Sequence, residues 1–431
     1  MEVKWFKKMD NFFQKIKLIF SDSIIRNRII FTILALIFFR FLSSIPISGV
    51  DKNALAGFFS GNEFLELLNL FSGGGLSRLS IVMLGIAPYI TASIIMQLMT
   101  IMFPSIKKMY QEEGGAGRMK FASWTRLLTI PLALIQAFSF MKILETQNLL
   151  ISSTPFDFLV NMIIVTAGSV LLMWVGELIT EKGIGNGSSM IIFAGIVAGL
   201  PATFSRLFYS YNPSEIPVYI AFAVVAVVVI FAVVVITEAE RPIPITYAKQ
   251  VRGSTTFGGS STYLPIRINQ SGVMPIIFAS SLLLFPQVIL GFLSKSSIAI
   301  VQTISSLINN FLTDSLFYGI AYFLLVFIFT YFYTAITFDP DNISENLQKN
   351  GAFISGVRPG KPTSEYISKI ITKLTLFGAL FLGVVAVLPL VLRALTGITA
   401  ISVGGTGLLI VVSVVIDLIK KVESQVSIRE Y

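Results

Sequence analysis

The sequence predicts an all-α polytopic membrane protein with ten transmembrane helices in two inverted five-helix halves. Three observations predict it. Hydrophobic residues fill 54% of the 431 positions and charged residues 13%, a balance too apolar for a soluble chain of this size. Apolar runs recur from end to end, which rules out a soluble domain on a single anchor. Basic residues concentrate in alternate connections between those runs, as a fixed membrane orientation requires.

In residues 1–28, Trp5, Phe6, Met9, Phe12, Phe13, Ile16 and Ile19 stand at helical spacing with Lys4, Lys7, Lys8, Lys15 and Lys17 between them. This predicts an amphipathic helix lying on an anionic, cytoplasmic membrane surface. A cleaved signal peptide is the rival reading, but no small-residue cleavage site follows. The first span covers about 29–45 and is stopped by Pro46. Residues 63–71, EFLELLNLF, form an amphipathic helix far too short to cross. The second span, 79–102, is uncharged, follows the triplet Gly73, Gly74 and Gly75, and contains Gly85 and Pro88. Tyr89, Thr91, Ser93 and Gln97 mix there with Ile86 and Ile90, which share a face. An anchor needs only leucine, so this helix is expected to line something.

Spans three to five follow at about 124–141, 156–179 and 188–200, the last entered through the turn 181–187. Span six, 216–236, is valine-rich. The polar stretch 237–270 carries Arg241, Lys249, Arg252 and Arg267, and its alternation predicts a pair of strands. Spans seven and eight lie at 273–293 and 316–338. A second polar loop, 339–368, holds Lys349, Arg358 and Lys361. Span nine is about 370–392 and span ten 408–419, and the tail follows. The organisation is therefore a surface segment 1–28, an amino-terminal half 29–201, a carboxy-terminal half 202–420 and a tail 421–431.

Ten spans put about 25 of the 32 Lys and Arg residues on one face or in the tails. The positive-inside rule then places both termini in the cytoplasm and the two long basic loops on that side of the cell membrane. The polar break at 201–215 leaves five spans on either side. Five is odd, so equivalent halves are inverted about an axis in the membrane plane, a pattern common in transport proteins.

The chemistry excluded is as informative. With no cysteine and no histidine, thiol nucleophiles, imidazole bases and His/Cys metal sites are absent. Residues 356–363, GVRPGKPT, look like a P-loop, but the glycine spacing is wrong and Pro362 stands where a Ser or Thr belongs. The pattern Gly183, Gly185, Gly187 follows no strand and reads as a turn into a helix. Glu177, Glu181, Glu238, Glu240 and Asp417 fall at span ends and read as solvated. No ionisable pair sits at mid-depth, where an ion-coupled solute transporter, the runner-up, keeps one. A scaffold, the third class, needs no glycine-hinged short helix. The mid-depth residues instead suit a path closed by an apolar constriction that dewets.

Five stretches, in order along nearly the whole chain, resemble the SecY/Sec61-alpha family. They are 71–74 (FSGG) with 84–93 (LGIAPYITAS), 183–187 (GIGNG), 272–275 (GVMP) with 278–281 (FASS), 358–363 (RPGKPT), and 404–412 (GGTGLLIVV). The resemblance implies a clamshell with a central hourglass pore that conducts unfolded polypeptides and releases hydrophobic helices sideways into lipid, without catalysis and without a cofactor. It implies a pore ring of Ile86, Ile90, Ser188, Ile192, Ile277 and Ile410. Ser188 departs from the aliphatic residue usual in the family. It implies a plug over 63–75, with Glu63, Phe64, Leu67, Leu68 and Phe71 in the short helix and Gly73, Gly74 and Gly75 as its joint. Thr91, Gln97, Ser280 and Ser281 would belong to a lateral gate between spans two and three and spans seven and eight. Lys249, Arg252, Arg358 and Lys361 would meet the motor ATPase SecA or the ribosome. SecE-like and SecG-like subunits, signal sequences, nascent polypeptides and membrane lipid complete the implied partners.

Overall fold

A computed structural model of the chain describes residues 21–49, 69, 72–146, 154–209, 216–247, 250–252, 255–257, 261–293, 303, 314–396 and 399–427. The surface helix expected before residue 21, the short-helix residues Glu63, Phe64, Leu67, Leu68 and Phe71, and Lys249 lie outside them. The chain forms two compact units. The first comprises Met1–Glu215, Ser281–Leu312 and Ile410–Tyr431, the second Ile216–Ser280 and Thr313–Leu409.

In the first unit, helix α1 is Ser23–Leu42, α2 Ala87–Met102, α3 Pro104–Gln111, α4 Gly114–Thr146, α5 Pro155–Lys182 and α6 Gly187–Tyr209. Their starts follow local chemistry. Asp22 Oδ1 accepts from the N–H groups of Ile24 (2.7 Å) and Ile25 (3.3 Å), so α1 begins ahead of its apolar run. Thr154 Oγ1 accepts from Asp157 N (3.2 Å), and Pro155 fills the first turn, where its missing N–H costs nothing. Buried hydroxyls inside these helices turn back on their own backbone: Thr91 on Ala87 O, Thr125 on Phe121 O and Thr166 on Met162 O. In an apolar surrounding that bond replaces the water a hydroxyl would otherwise hold.

The second expected span begins later than its apolar run. Residues 72–86 are a succession of turns, and the helix starts at Ala87. The backbone explains it. Leu79 (φ 44°) and Gly85 (φ 58°) are left-handed, which no α-helix accommodates. Pro88 then stands in the first turn, where it starts the helix and does not kink it. The turns are tied to the end of α1 by Ile47 N to Leu79 O (2.8 Å) and Ile81 N to Ile45 O (2.9 Å). At its far end α2 bends by 111° into α3. Met96, Met109 and Phe121 close a small core inside the elbow with α4.

In the second unit, α7 is Ile216–Glu238, β1 Glu240–Tyr247, β2 Gln250–Arg252, β3 Thr255–Phe257 and β4 Ser261–Arg267. Helix α8 (Met274–Leu293) crosses from this unit to the first. Then come α9 (Ser315–Thr337), α10 (Pro340–Lys349), β5 (Ala352–Ile354), α11 (Lys361–Thr396) and α12 (Thr399–Ser427), whose later part belongs to the first unit. Each of the ten expected spans overlaps one of these helices, and the expected strand pair is β1 with β4.

The sheet has one strand more than that pair. Its order is β4-β1-β5, antiparallel throughout, with Glu240 opposite Arg267 and Tyr247 opposite Ala352. Strand β5 reaches only Ile245, so Pro242 and Pro244, which have no N–H to donate, stand clear of that edge. Alternation along β1 turns Ile243 and Ile245 inward. Ile243, Ile266 and Ile354 pack on Ile367 and Ile371 of α11.

Large apolar side chains are exposed along the spans: Ile33, Leu34, Ile37 and Phe41 on α1, and Val224, Val227, Val228 and Phe231 on α7. That surface belongs in hydrocarbon, and the chain is a multi-pass membrane protein. Among the described residues, four helical stretches are long and apolar enough to cross by themselves, and the bent α2–α3 pair passes the same test together.

Candidate functional site

Ile86 and Ile90 are buried at the start of α2, Ile192 on α6 and Ile410 on α12, all in the first unit, and Ile277 is buried on α8 in the second. Gly176 of α5 makes room for part of this set. A Cβ placed there would meet Ile86 Cδ1 at 3.3 Å and Ile191 Cδ1 at 3.4 Å. A Cβ on Gly187 would overlap the carbonyl oxygen of Gly176. Two glycines therefore let α5 and α6 touch backbone to backbone, and the side chains of Ile86 and Ile191 both close in on Gly176 at that crossing. Ser188 lies in the first turn of α6. Its hydroxyl is 2.6 Å from Asn186 Oδ1, which also accepts from the N–H groups of Ser188 (3.1 Å) and Ser189 (3.4 Å).

The glycine triplet is a fitted turn. Gly73 (φ 66°) and Gly74 (φ 78°) are left-handed, and a Cβ on Gly73 would collide with the ring of Phe39. Arg40 Nη1 donates to Gly73 O at 2.9 Å, and Leu76 N donates to Ser72 Oγ at 2.9 Å. These glycines supply a left-handed backbone and a close approach that other residues would not allow.

Of the four expected gate residues, Thr91 is buried on α2 and bonded to its own helix. Gln97 Nε2 donates to Ser93 Oγ at 3.1 Å, but its Oε1 is buried without a hydrogen-bond partner. Ser280 Oγ donates to Ile276 O at 2.5 Å and meets Tyr322 Oη at 3.3 Å. Ser281 Oγ, the next residue, is buried without a partner. In each helix one polar group is satisfied and one is left wanting.

Arg358 and Lys361 are exposed in the second unit, on either side of Gly360 (φ 94°). Their loop is held from several sides. Ser344 Oγ of α10 donates to Gly360 O (2.7 Å), Thr363 Oγ1 to Arg358 O (2.8 Å) and Ser364 Oγ to Asp341 Oδ1 (2.5 Å). The sheet places the loop beside β1, so the two basic loops share one platform. Arg252 lies in the β2–β3 hairpin, opposite Thr255.

Several residues escaped the sequence reading. Glu177 is not a solvated helix end. It is 17% exposed and bound at 2.7 Å by Arg126 of α4. Glu240 pairs with Arg267 across the β1–β4 strands (3.2 Å), and Asp417 with Lys421 one turn on (3.1 Å). The last is legible as an i, i+4 pair, whereas the first two join residues far apart in sequence. Asn186 was legible as a helix cap from its place before a run of small polar residues. Tyr322, fully buried against Ser280, had no local signal. No group of three or more His, Cys, Asp or Glu could hold a metal among the described residues.

A family model described as SecY matches residues 80–419. The protein translocase subunit SecY of Corynebacterium glutamicum is 40% identical over 433 residues, covering 96% of this chain and 97% of the relative. That of Thermotoga maritima is 40% identical, covering 97% and 96%. Among solved structures, a protein-conducting channel superposes with a TM-score of 0.64 at 20% identity, covering 93% of this chain and 92% of the other. Sec61 in the canine ribosome–channel complex superposes with a TM-score of 0.60 at 19% identity, covering 93% and 92%. Yeast Ssh1, in a complex bound to the 80S ribosome, gives 0.63 at 12% identity, covering 92% and 89%.

Proposed function

The chain belongs to the SecY family, and on that premise we infer that it is the channel subunit of a protein translocase. It passes unfolded secretory polypeptides across the cytoplasmic membrane and releases membrane proteins sideways into lipid. It is not an enzyme, so the work comes from partners: the motor ATPase SecA, the translating ribosome or the proton-motive force. The observation that carries this reading is the family match, which spans both units and runs unbroken from the turns before α2 to α12.

On this reading Ile86, Ile90, Ser188, Ile192, Ile277 and Ile410 form the ring that seals the pore. Apolar side chains at a constriction exclude water, and ions with it. Residues 63–75 form the plug, and Thr91, Gln97, Ser280 and Ser281 line the lateral gate. The platform bearing Arg358, Lys361 and Arg252 receives SecA or ribosomal RNA, whose negative charge it complements. The ribosome-bound states of Sec61 and Ssh1 support that docking face. SecE-like and SecG-like subunits complete the channel, and both termini lie in the cytoplasm.

The test is ion conductance of the purified protein in planar bilayers, with and without residues 63–71. A silent parent and a conducting deletion support a plugged aqueous pore. Silence from both, with insertion demonstrated, removes the plug reading and revives that of a solute transporter.

A further inference from the structure

A hydroxyl in an apolar seal invites water, and Ser188 puts one where the proposed ring needs none. We propose that Asn186 is a positioning residue for the seal, holding the Ser188 hydroxyl out of service. The inference rests on the ring reading above and adds a residue to it.

The argument is one of donors and acceptors. Backbone N–H groups can only donate, and those of Ser188 and Ser189 both converge on one atom of the Asn186 side chain, at 3.1 and 3.4 Å. That atom is therefore the amide oxygen. The Ser188 hydroxyl sits 2.6 Å from the same oxygen and must be the donor in that pair. Its one proton is spent, and its rotamer is fixed back along the helix start, towards the cap. The ring is left with the Cβ methylene and two lone pairs, a surface that can no longer donate to water or to an anion.

Asn186 itself cannot drift. Its carbonyl accepts from Met190 N at 2.9 Å as the first bond of α6. Beside it, Gly187 N donates to Thr180 Oγ1 (2.9 Å), against the backbone crossing at Gly176. The cap, the crossing with α5 and the serine are one rigid assembly, so the position tolerates a polar residue without a free hydrogen-bond donor.

The experiment is a double-mutant cycle read as single-channel ion leak in planar bilayers. Asn186→Ala frees the hydroxyl to rotate and hydrate, and leak rises about five- to tenfold. In a Ser188→Ile background the same change leaves leak within twofold of that background. Asn186→Asp keeps an acceptor oxygen at the cap and stays near the parent. A merely structural cap moves leak equally in both backgrounds, and that result overturns the proposal while the ring stands. Ile90→Asp is the control. Conduction supports the ring, and silence with shown insertion overturns the ring and this proposal with it.

Discussion

Arg40 Nη1 donates to the carbonyl oxygen of Gly73 at 2.9 Å, joining the C-terminal end of α1 to the turns that precede α2. Replacing Arg40 with Ala strands that carbonyl and removes a charge-assisted bond. The cost is about 1.5 kcal/mol, the low end for such bonds because the guanidinium is only partly buried. The melting temperature of the detergent-purified protein should fall, and Arg40→Lys should recover part of the loss. An unchanged melting temperature would show that the turns hold without the arginine.

Glycine replacement should divide cleanly by surroundings. Gly187→Ala drives a methyl into the carbonyl oxygen of Gly176 and must spread α5 from α6, at about 2 kcal/mol or more. Gly115→Ala, in the first turn of α4 with open space around it, removes only backbone freedom and should stabilise by up to about 1 kcal/mol. Thermal unfolding of the two variants side by side checks the pair. Equal shifts would contradict the close crossing.

The Ser280–Tyr322 contact predicts an asymmetry. Tyr322→Phe removes one hydroxyl and leaves Ser280 bonded to Ile276 O, so the loss should stay below about 1 kcal/mol. Ser280→Ala leaves the Tyr322 hydroxyl buried without that contact and should cost about 1–3 kcal/mol. Denaturation midpoints that rank the variants the other way round would refute the assignment.

Gln97 carries a buried oxygen without a partner, so leucine at that position removes a penalty paid in the state described here. If α2 lines the gate, Gln97→Leu makes that lining more apolar and raises the hydrophobicity a signal sequence needs. Translocation of a series of signals of graded hydrophobicity measures the threshold. A threshold that does not move removes Gln97 from the gate.

The clamps around Arg358 predict a split between binding and turnover. Ser344→Ala frees Gly360 O and loosens the loop, so the apparent affinity for SecA or ribosomes should weaken about fivefold while the maximal rate holds. Arg358→Glu should abolish binding at any concentration tested. If Ser344→Ala lowers the maximal rate with affinity intact, the serine serves the fold and not the loop.

The spans were readable because apolar length is a local signal, and α7 and α9 coincide with their predicted runs almost residue for residue. The start of α2 was not, because Leu79 takes a left-handed backbone that its identity does not announce. Bonds to Ile45 and Ile47, residues distant along the chain, help to hold that region away from a helix. For the same reason the candidate residues could be named from motifs, whereas their supports could not. Arg126 finds Glu177, and Tyr322 finds Ser280, through packing between helices, which periodicity along one helix does not encode.

The three-stranded sheet has a consequence for how the protein is made. Strands β1 and β4 close as a hairpin soon after α7 leaves the ribosome, but β5 is translated only after α8, α9 and α10. Until then the outer edge of β1 from Ile245 to Tyr247 has no mate, and the loop carrying Arg358 does not exist. A newborn chain therefore cannot complete the proposed docking face until β5 emerges, when only α11 and α12 remain to be made.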